Sequence, residues 1–288
     1  MEQGLPISII ILTFNEEMNL RACLDSARQF DDIHVLDSGS TDLTTTIARD
    51  FGARIYTNVF ESFGQQRNWA IDNIPARHNW HFHLDADERL TPALISEMKE
   101  AIASDSCDGG YLVPSKLMFA GRWLRYAGQY PAYQLRLFHR HRLRFVNHGH
   151  GQREESTYPI GKLSEPYLHF AFSKGLDHWF GKHAAYARRE AEQALGLKGG
   201  MDVSHGIDSV VSDDIVTRRR ALKALSYRMP FRYALRLCYM LFWKRAIFDG
   251  AAGIAYSQML ATYESMISIH MRLLRSGLRP ELPESCPK

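Results

Sequence analysis

Cysteine is scarce in this chain of 288 residues, and its few copies do not have the spacing of a disulfide framework. The four cysteines, Cys23, Cys107, Cys238 and Cys286, lie far apart and form no C-x-x-C pair. This usage is typical of a reducing compartment. A basic leader followed by an apolar stretch of signal-peptide length is also absent from the first residues, so we expect a cytoplasmic location.

Long hydrophobic runs and glycine-rich loops are also missing. In the C-terminal quarter the longest uncharged apolar run, Leu237–Trp243, has seven residues, whereas a bilayer span needs about 20. The glycine fingerprint of dinucleotide-binding folds and the G-x-x-x-x-G-K-[ST] loop are absent, which disfavours NAD and P-loop chemistry. We expect no nucleic-acid partner.

The net charge of +3 hides an uneven distribution along the chain. Residues 215–288 contain 13 Lys and Arg against 4 Asp and Glu, so this segment carries +9 and the remainder −6. The cations are interspersed with Tyr, Phe, Trp and Leu. Such a mixture favours helices that lie in the headgroup plane of a membrane, with their cations facing anionic lipid. The alternative is an amphipathic helix packed on the catalytic body.

Strands and helices alternate along the first part of the chain. A β-branched run at Ile7–Thr13 predicts a buried strand, and further strands are predicted at 33–36 and 54–56, with helical periodicity between them. This alternation predicts an α/β fold with a mostly parallel sheet and a ligand crevice at the carboxyl ends of the strands. We expect a catalytic domain over residues 1–195, a flexible loop over 196–214 and a basic helical appendage over 215–288.

Polar residues collect where three predicted strands end. Residues 13–17, 37–42 and 85–88 follow apolar runs, and the last of these reads Asp85-Ala86-Asp87-Glu88. Side chains two residues apart on a strand share a face, so Asp85 and Asp87 could both point at one divalent cation that also grips a diphosphate. The simpler alternative is a solvated turn whose carboxylate caps the next helix.

Four motifs in order over about 75 residues resemble the inverting family 2 glycosyltransferases of the GT-A fold. The likeness is strongest to a bacterial branch that decorates lipopolysaccharide cores and other envelope glycans. The motifs are Thr13-x-Asn15-Glu16-Glu17, Asp37-Ser38-Gly39-Ser40-Thr41-Asp42, Gly64-Gln65-Gln66-Arg67-Asn68-x-Ala70 and Asp85-Ala86-Asp87-Glu88.

The resemblance implies a nucleotide-sugar donor, usually a uridine one, and a role for each motif. Glu16 and Asp37 would contact the ribose and base, Asp85 the ribose, and Asp87 an Mg²⁺ or Mn²⁺ ion, with Asp85 as a further metal candidate. Arg67 would lie near the diphosphate or support the nucleotide site. The donor-binding set is completed by three residues of the first two motifs, Thr13, Asn15 and Ser38.

The resemblance places the catalytic base after the Asp-x-Asp strand, in residues 134–155. Many relatives have a Val-His-Glu-like tripeptide there, whereas this chain reads Val146-Asn-His-Gly-His-Gly-Gln-Arg-Glu-Glu155. We predict Glu154 as the base, then Glu155, with His150 as a base or an acceptor ligand. The alternative is a polar loop with an ordinary pair of surface glutamates.

The leading hypothesis is a membrane-associated transferase that moves a sugar from a nucleotide donor onto a lipid-linked or lipopolysaccharide-type acceptor. The alternative is a non-catalytic relative that binds nucleotide-sugars and acts as a peripheral scaffold or sensor. The altered loop before Glu154 permits this alternative, and the intact acidic motifs argue against it. A nucleotidyltransferase would need a Gly-rich, Lys-containing loop after the first strand, and this loop is missing.

Overall fold

The computed structural model describes residues 5–104, 108–148, 151–196, 227, 229 and 231–278. The chain divides into two compact units, residues 1–173 and 174–288. The first unit combines strands and helices. The second is helical in its described part.

The first unit follows the alternation that the sequence predicts. Its strands are β1 (Ile7–Thr13), β2 (Ile33–Asp37), β3 (Arg54–Thr57), β4 (Trp80–Asp85), β5 (Glu88–Arg89), β6 (Gly110–Phe119), β7 (Arg122–Trp123), β8 (Ala132–His139), β9 (Arg144–His148), β10 (Gly151–Glu155), β11 (Ile160–Lys162) and β12 (Tyr167–His169). Its helices are α1 (Leu20–Ser26), α2 (Thr44–Phe51), α3 (Phe63–Asn73) and α4 (Pro92–Ala103).

Ten of these strands form one sheet, whose main path runs β3-β2-β1-β4-β8-β6-β12-β5, with β7 and β11 paired to β6. Strands β3, β2, β1 and β4 are mutually parallel. Strand β8 pairs antiparallel with both β4 and β6, and the parallel pairing of β6 with β12 follows. Strands β9 and β10 form a separate antiparallel hairpin. The predicted α/β fold is confirmed.

Local sequence explains why the elements begin and end where they do. The isoleucine-rich β1 is buried along almost its whole length, as a central parallel strand requires. Ser62 caps α3 by accepting from Gln65 N, and Thr91 caps α4 by accepting from Leu94 N. Gly52 ends α2 with φ at 87°, a left-handed conformation that glycine adopts without strain.

A buried carboxylate joins the amino ends of the central strands. Asp32 precedes β2 and is fully buried; it accepts hydrogen bonds from Ser8 Oγ at 2.6 Å and from Arg77 N at 2.8 Å, and it lies 3.0 Å from His34 Nε2. Burial acts to raise the pKa of this carboxyl, but the hydrogen bonds outweigh burial and lower the pKa to about 2. Its role is structural.

The second unit contains the helices α5 (Gly175–Ala194), α6 (Arg232–Cys238) and α7 (Gly250–Arg275). A π-helix at Tyr239–Trp243 and a 3₁₀ helix at Ala246–Asp249 connect α6 to α7. Small and apolar residues of α5 and α7 pack together, among them Ala187, Ala191, Ile267 and Met271. None of the described helices has an apolar stretch long enough to cross a bilayer.

The two compact units do not divide the chain at the boundaries that the sequence predicts. Helix α5 groups with the second unit, whereas we expected the catalytic domain to extend to residue 195. The predicted flexible loop at 196–214 lies outside the described residues apart from Gly196. Of the predicted basic appendage at 215–288, the structure describes residues 231–278 together with Tyr227 and Met229.

Candidate active site

The carboxyl ends of β1 and β2 meet through the Asp37 side chain. Thr13 Oγ1 donates to Asp37 Oδ1 at 3.0 Å, and Ser40 Oγ donates to the same oxygen at 2.5 Å. The other oxygen of Asp37 accepts from the backbone N–H groups of Gly39 at 2.9 Å and Ser40 at 2.7 Å. Asp37 is buried. Both of its oxygens therefore hold the loop after β2 in place.

The loop after β1 is fastened to the loop after β2. The backbone N–H of Asn15 donates to Ser40 Oγ at 2.8 Å, and Asn15 Oδ1 accepts from Thr41 N at 2.8 Å. The backbone N–H of Glu16 donates to Thr44 Oγ1 at 2.7 Å, while Glu16 Oε2 accepts from Asn19 Nδ2 at 2.7 Å. Asn15 has a φ of 52°, so the interlocking loops hold a left-handed conformation that Asn tolerates better than most residues.

Helix α3 contributes two side chains to the same edge of the sheet. Gln66 Nε2 donates to Ser38 Oγ at 3.2 Å. Arg67 is buried; its Nη2 donates to Asp85 Oδ1 at 3.1 Å and its Nε to Gln152 Oε1 of β10 at 3.1 Å. Arg67 therefore connects α3, the end of β4 and the β9–β10 hairpin.

A second buried arginine, Arg136 of β8, holds the other side of Asp85. Its Nη2 donates to Asp85 Oδ2 at 2.8 Å and also to Glu88 Oε1. Glu88 is fully buried, and its Oε2 accepts from Asp85 N at 2.9 Å. Two buried guanidinium groups thus face two carboxylates, so each buried cation has a charged partner.

The cluster shifts the ionisation of its carboxyl groups. Burial acts to raise the pKa of Asp85, but Arg136 and Arg67 outweigh burial and hold this pKa well below its usual range. Burial raises the pKa of Glu88 above its usual range, although Arg136 opposes the shift. Asp85 is therefore an anion held by two cations, and Glu88 is the carboxyl of the pair that accepts a proton more readily.

Asp87 lies beyond the end of β4 and has a different partner from Asp85. Its Oδ2 is 3.4 Å from Nε2 of His169, a residue of β12, and both side chains are partly exposed. Strand β12 reaches this position because Leu168 and His169 pair with Arg89 and Glu88. Burial acts to lower the pKa of His169, but the carboxylate of Asp87 outweighs burial and raises the pKa above its usual value.

Asp85 is the last residue of β4, and Asp87 follows it in the turn, so the two carboxylates have different partners. Within the described residues no group of three or more His, Cys, Asp or Glu side chains is arranged to hold a metal ion. A carboxylate beside an imidazole nevertheless supplies an oxygen and a nitrogen ligand. Mg²⁺ in particular is often bound by one or two protein groups together with substrate phosphates.

The predicted base residues lie on the β9–β10 hairpin, except for His150, which lies outside the described residues. Glu154 is opposite Phe145 in the hairpin and shares its face with Gln152, the residue that accepts from Arg67. Phe145 is buried and its ring lies 5.9 Å from the Arg67 guanidinium. Glu155 is opposite Arg144, on the other face, and is exposed.

Three residues of the cluster were not singled out from the sequence: Glu88, Arg136 and His169. Glu88 stands inside the acidic motif, where nothing distinguishes a buried glutamate from a helix-capping one. Arg136 is an arginine in the apolar strand Leu135-Arg136-Leu137-Phe138, a pattern that signals a buried cation with an acidic partner. His169 has no sequence signal, since it reaches Asp87 only through strand pairing.

The fold and the acidic edge define an α/β protein with a polar crevice at the carboxyl ends of parallel strands. The family model of glycosyl transferase family 2 matches residues 8–153, which include β1, β4, the acidic motif and most of the β9–β10 hairpin. The chain belongs to this family. The GT-A type of fold that the motifs imply is the fold of this family.

Two curated relatives resemble part of the chain. LpsC of Rhizobium meliloti (strain 1021), a lipopolysaccharide core biosynthesis glycosyltransferase, is 30% identical over 122 residues, 41% of this chain and 44% of LpsC. An uncharacterized glycosyltransferase of Rickettsia bellii (strain RML369-C) is 30% identical over 117 residues, 40% of this chain and 39% of the relative. The chain thus spans less than half the length of these relatives.

Among solved structures, glucosyl-3-phosphoglycerate synthase from Mycobacterium tuberculosis, in complex with Mn²⁺ and UDP-glucose, superposes with a TM-score of 0.34. The identity is 22%, and the superposition covers 43% of this chain and 46% of that one.

Proposed function

We propose that this protein is a metal-dependent, inverting glycosyltransferase that uses a nucleotide-sugar donor, with UDP as the expected nucleotide. The observation that supports this most strongly is the edge of the sheet within the family-matched region. There, Asp85 is clamped by Arg67 and Arg136, and Asp87 lies beside His169, which follows the matched region. This arrangement separates a carboxylate that two guanidinium groups balance from a carboxylate that lies beside an imidazole and is available to a ligand.

We assign the metal to Asp87 and His169. Their side chains are close enough to bind one ion together, and both are reached by solvent. A bound Mg²⁺ or Mn²⁺ would act there as a Lewis acid on the diphosphate leaving group. Asp85, the other predicted metal ligand, has both carboxylate oxygens engaged by guanidinium groups. Its proposed role is therefore to position the end of β4 rather than to bind the ion.

The donor nucleotide would bind across the loops after β1 and β2. Asp37 uses both oxygens to hold its own loop, so we propose that it fixes the shape of the site. Glu16 and the backbone around Asn15 and Ser38 lie on the same loops and would contact the ribose and base.

Glu154 is the proposed catalytic base. It shares a hairpin face with Gln152 and therefore lies on the side of the hairpin that faces Arg67. In an inverting reaction its carboxylate would take the proton of the acceptor hydroxyl while that oxygen attacks the anomeric carbon. The bond from the anomeric carbon to the diphosphate breaks in the same step. Because Glu155 points to the opposite face, it is the weaker candidate.

We propose a lipid-linked or lipopolysaccharide-type glycan as the acceptor, reached at the cytoplasmic face of a membrane. Support comes from the likeness to LpsC, whose name assigns it to lipopolysaccharide core biosynthesis. Further support comes from the basic, aromatic composition of residues 215–288, which suits an anionic membrane surface.

The test is thermal unfolding of the full chain with UDP, GDP, dTDP and CMP, each with and without Mn²⁺. A ligand at about 100 times its Kd adds roughly 2.7 kcal/mol to stability. We expect a Mn²⁺-dependent rise of the midpoint with one nucleotide and its loss in Asp87→Ala. Asp72→Ala, on exposed α3 surface, is the matched control. No shift with any nucleotide would count against a nucleotide-sugar donor, and a shift that persists in Asp87→Ala would refute the metal assignment.

A further inference from the structure

The segment between residues 231 and 248 exposes an unusual amount of apolar surface, and we call it the aromatic segment. It comprises α6, the π-helix, the first three residues of the 3₁₀ helix and the residues that join these elements. Four of its aromatic side chains are among the most exposed in the described chain: Phe231 70%, Phe242 70%, Phe248 72% and Trp243 79%. Its other exposed large apolar residues are Tyr233, Leu235, Tyr239 and Ile247.

The helical part of the aromatic segment buries an arginine and exposes a series of apolar side chains. Arg232 is buried and forms an ion pair with Glu264 of α7 at 2.5 Å. Met240, two turns further along, is fully buried on the same side. Phe231, Leu235 and Tyr239, which are four residues apart, are exposed instead. An isolated exposed apolar residue needs no explanation, but a series on one face marks a binding surface.

Cations border this apolar face. The Arg236 guanidinium lies 5.9 Å and the Lys244 ammonium 6.0 Å from the ring centre of Tyr239. Arg245, two residues after Trp243, is exposed. Among residues 233–248 there is no acidic side chain, and Asp249 is the first one to follow. Apolar rings with a cationic border complement a surface that has an apolar interior and anionic headgroups.

We propose that the aromatic segment is a membrane-docking element whose exposed rings enter the interfacial layer of an anionic bilayer. The described helices contain no stretch able to cross a bilayer, so the contact would be interfacial. Trp243 and Tyr239 suit this layer because their rings are apolar with one polar tip. The inference deepens the proposed function, because an acceptor in a bilayer has to be met at its surface.

The test is binding of the full chain to sonicated vesicles of phosphatidylcholine alone or with 30% phosphatidylglycerol, measured by flotation. We expect binding to the anionic vesicles and at least a tenfold loss of the partition coefficient in Phe242→Ser/Trp243→Ser. Lys244→Gln/Arg245→Gln should lose roughly fivefold per cation on anionic vesicles only. The matched control is Ile269→Ser/Leu278→Ser, which removes two exposed apolar residues of the same unit outside the aromatic segment and should stay within twofold.

The depth at which Trp243 enters the bilayer provides a second readout, which does not depend on how well the serine variant folds. Brominated lipid should quench tryptophan fluorescence in the wild type, and Trp243→Phe should keep vesicle binding while losing most of that quenching. Persistent quenching in Trp243→Phe, or unchanged binding of the double serine variant, would overturn the proposal. A wild-type dimer that becomes monomeric in that variant, with vesicle binding unchanged, would identify the surface as a self-association site instead.

Nucleotide-dependent stabilisation measured on the same samples separates this inference from the proposed function. Failure to bind vesicles with an intact nucleotide shift would count against the docking element alone. Absence of the nucleotide shift with normal vesicle binding would count against the transferase alone.

Discussion

Replacing Arg136 by methionine tests whether the acidic edge of the sheet is held together by buried charge. Methionine keeps most of the side-chain volume but removes the group that contacts both Asp85 and Glu88. Arg136 is 1% exposed and Glu88 is fully buried. Removing one partner of a buried ion pair costs about 3–5 kcal/mol, because the remaining charge is left in a poorly solvating environment. For a chain of this size that corresponds to a fall of the unfolding midpoint on the order of 6–20 °C.

An exposed ion pair supplies the control for this measurement. Arg28 Nη2 lies 2.8 Å from Asp25 Oδ1, a separation equal to that between Arg136 and Asp85, but the Arg28 side chain is 65% exposed. Arg28→Met should therefore cost no more than about 1 kcal/mol. Urea and thermal unfolding of the two variants beside the wild type would give the comparison. Adding Glu88→Gln to Arg136→Met should recover part of the loss, since it removes one uncompensated charge.

The pH dependence gives a further check with a definite sign. Burial raises the pKa of Glu88 even in the presence of Arg136, and removing Arg136 raises it further. A carboxyl whose folded pKa exceeds its unfolded value destabilises the fold above that folded pKa, and the penalty is relieved as the pH falls toward the unfolded value. The loss of unfolding free energy in Arg136→Met relative to the wild type should therefore shrink as the pH falls from 8 to 5. A loss of stability in Arg136→Met equal to that in Arg28→Met, or a loss that grows on acidification, would refute the conclusion that buried charge holds this edge together.

Three further predictions concern the base, the metal and the amino ends of the strands. Glu154→Gln should lower sugar transfer about 10²–10⁴-fold without changing nucleotide affinity, whereas Glu155→Gln should stay near the wild-type rate; the reverse result would reassign the base. His169→Ala should weaken Mn²⁺-dependent UDP binding in calorimetry by about 10–100-fold and leave metal-free binding unchanged. Asp32→Asn should cost about 2 kcal/mol at pH 7, because the folded pKa of about 2 lies below the ordinary value of 3.8. The stability difference between the variant and the wild type should vanish as the pH falls from 4 to 2, and a pH-independent loss would contradict this prediction.

Strands β1, β2 and β3 could be predicted from the sequence because the residues that specify each of them lie next to one another in the chain. The β-branched run Ile7–Thr13 and the strands at 33–37 and 54–57 lie close to their predicted positions, and Gly52 ends α2 as expected. Parallel strands joined by short crossovers bring their carboxyl ends together by rule. The convergence of Thr13, Asp37 and Asp85 follows from that rule alone.

The second half of the site could not be predicted because it depends on pairings distant in sequence. His169 stands 82 positions after Asp87 and reaches it only because β12 pairs with β5. Arg136 reaches Asp85 because β8 runs antiparallel beside β4. Residue composition indicated a membrane-seeking surface in the C-terminal segment. The buried Arg232 next to exposed Phe231 pairs with Glu264, a residue 32 positions further along.

The acidic motif shows how neighbours rather than sequence spacing assign roles to two identical side chains. Asp85 and Asp87 are two residues apart, and strand alternation would point both at one ion. Strand β4 ends at the first of them, so the second lies in the turn and meets a different set of groups. Two guanidinium groups balance the charge of Asp85 and engage both of its oxygens, while Asp87 lies 3.4 Å from a single imidazole. Only the second carboxylate can exchange its partner for a ligand without leaving a buried cation uncompensated, so ligand binding is expected at Asp87.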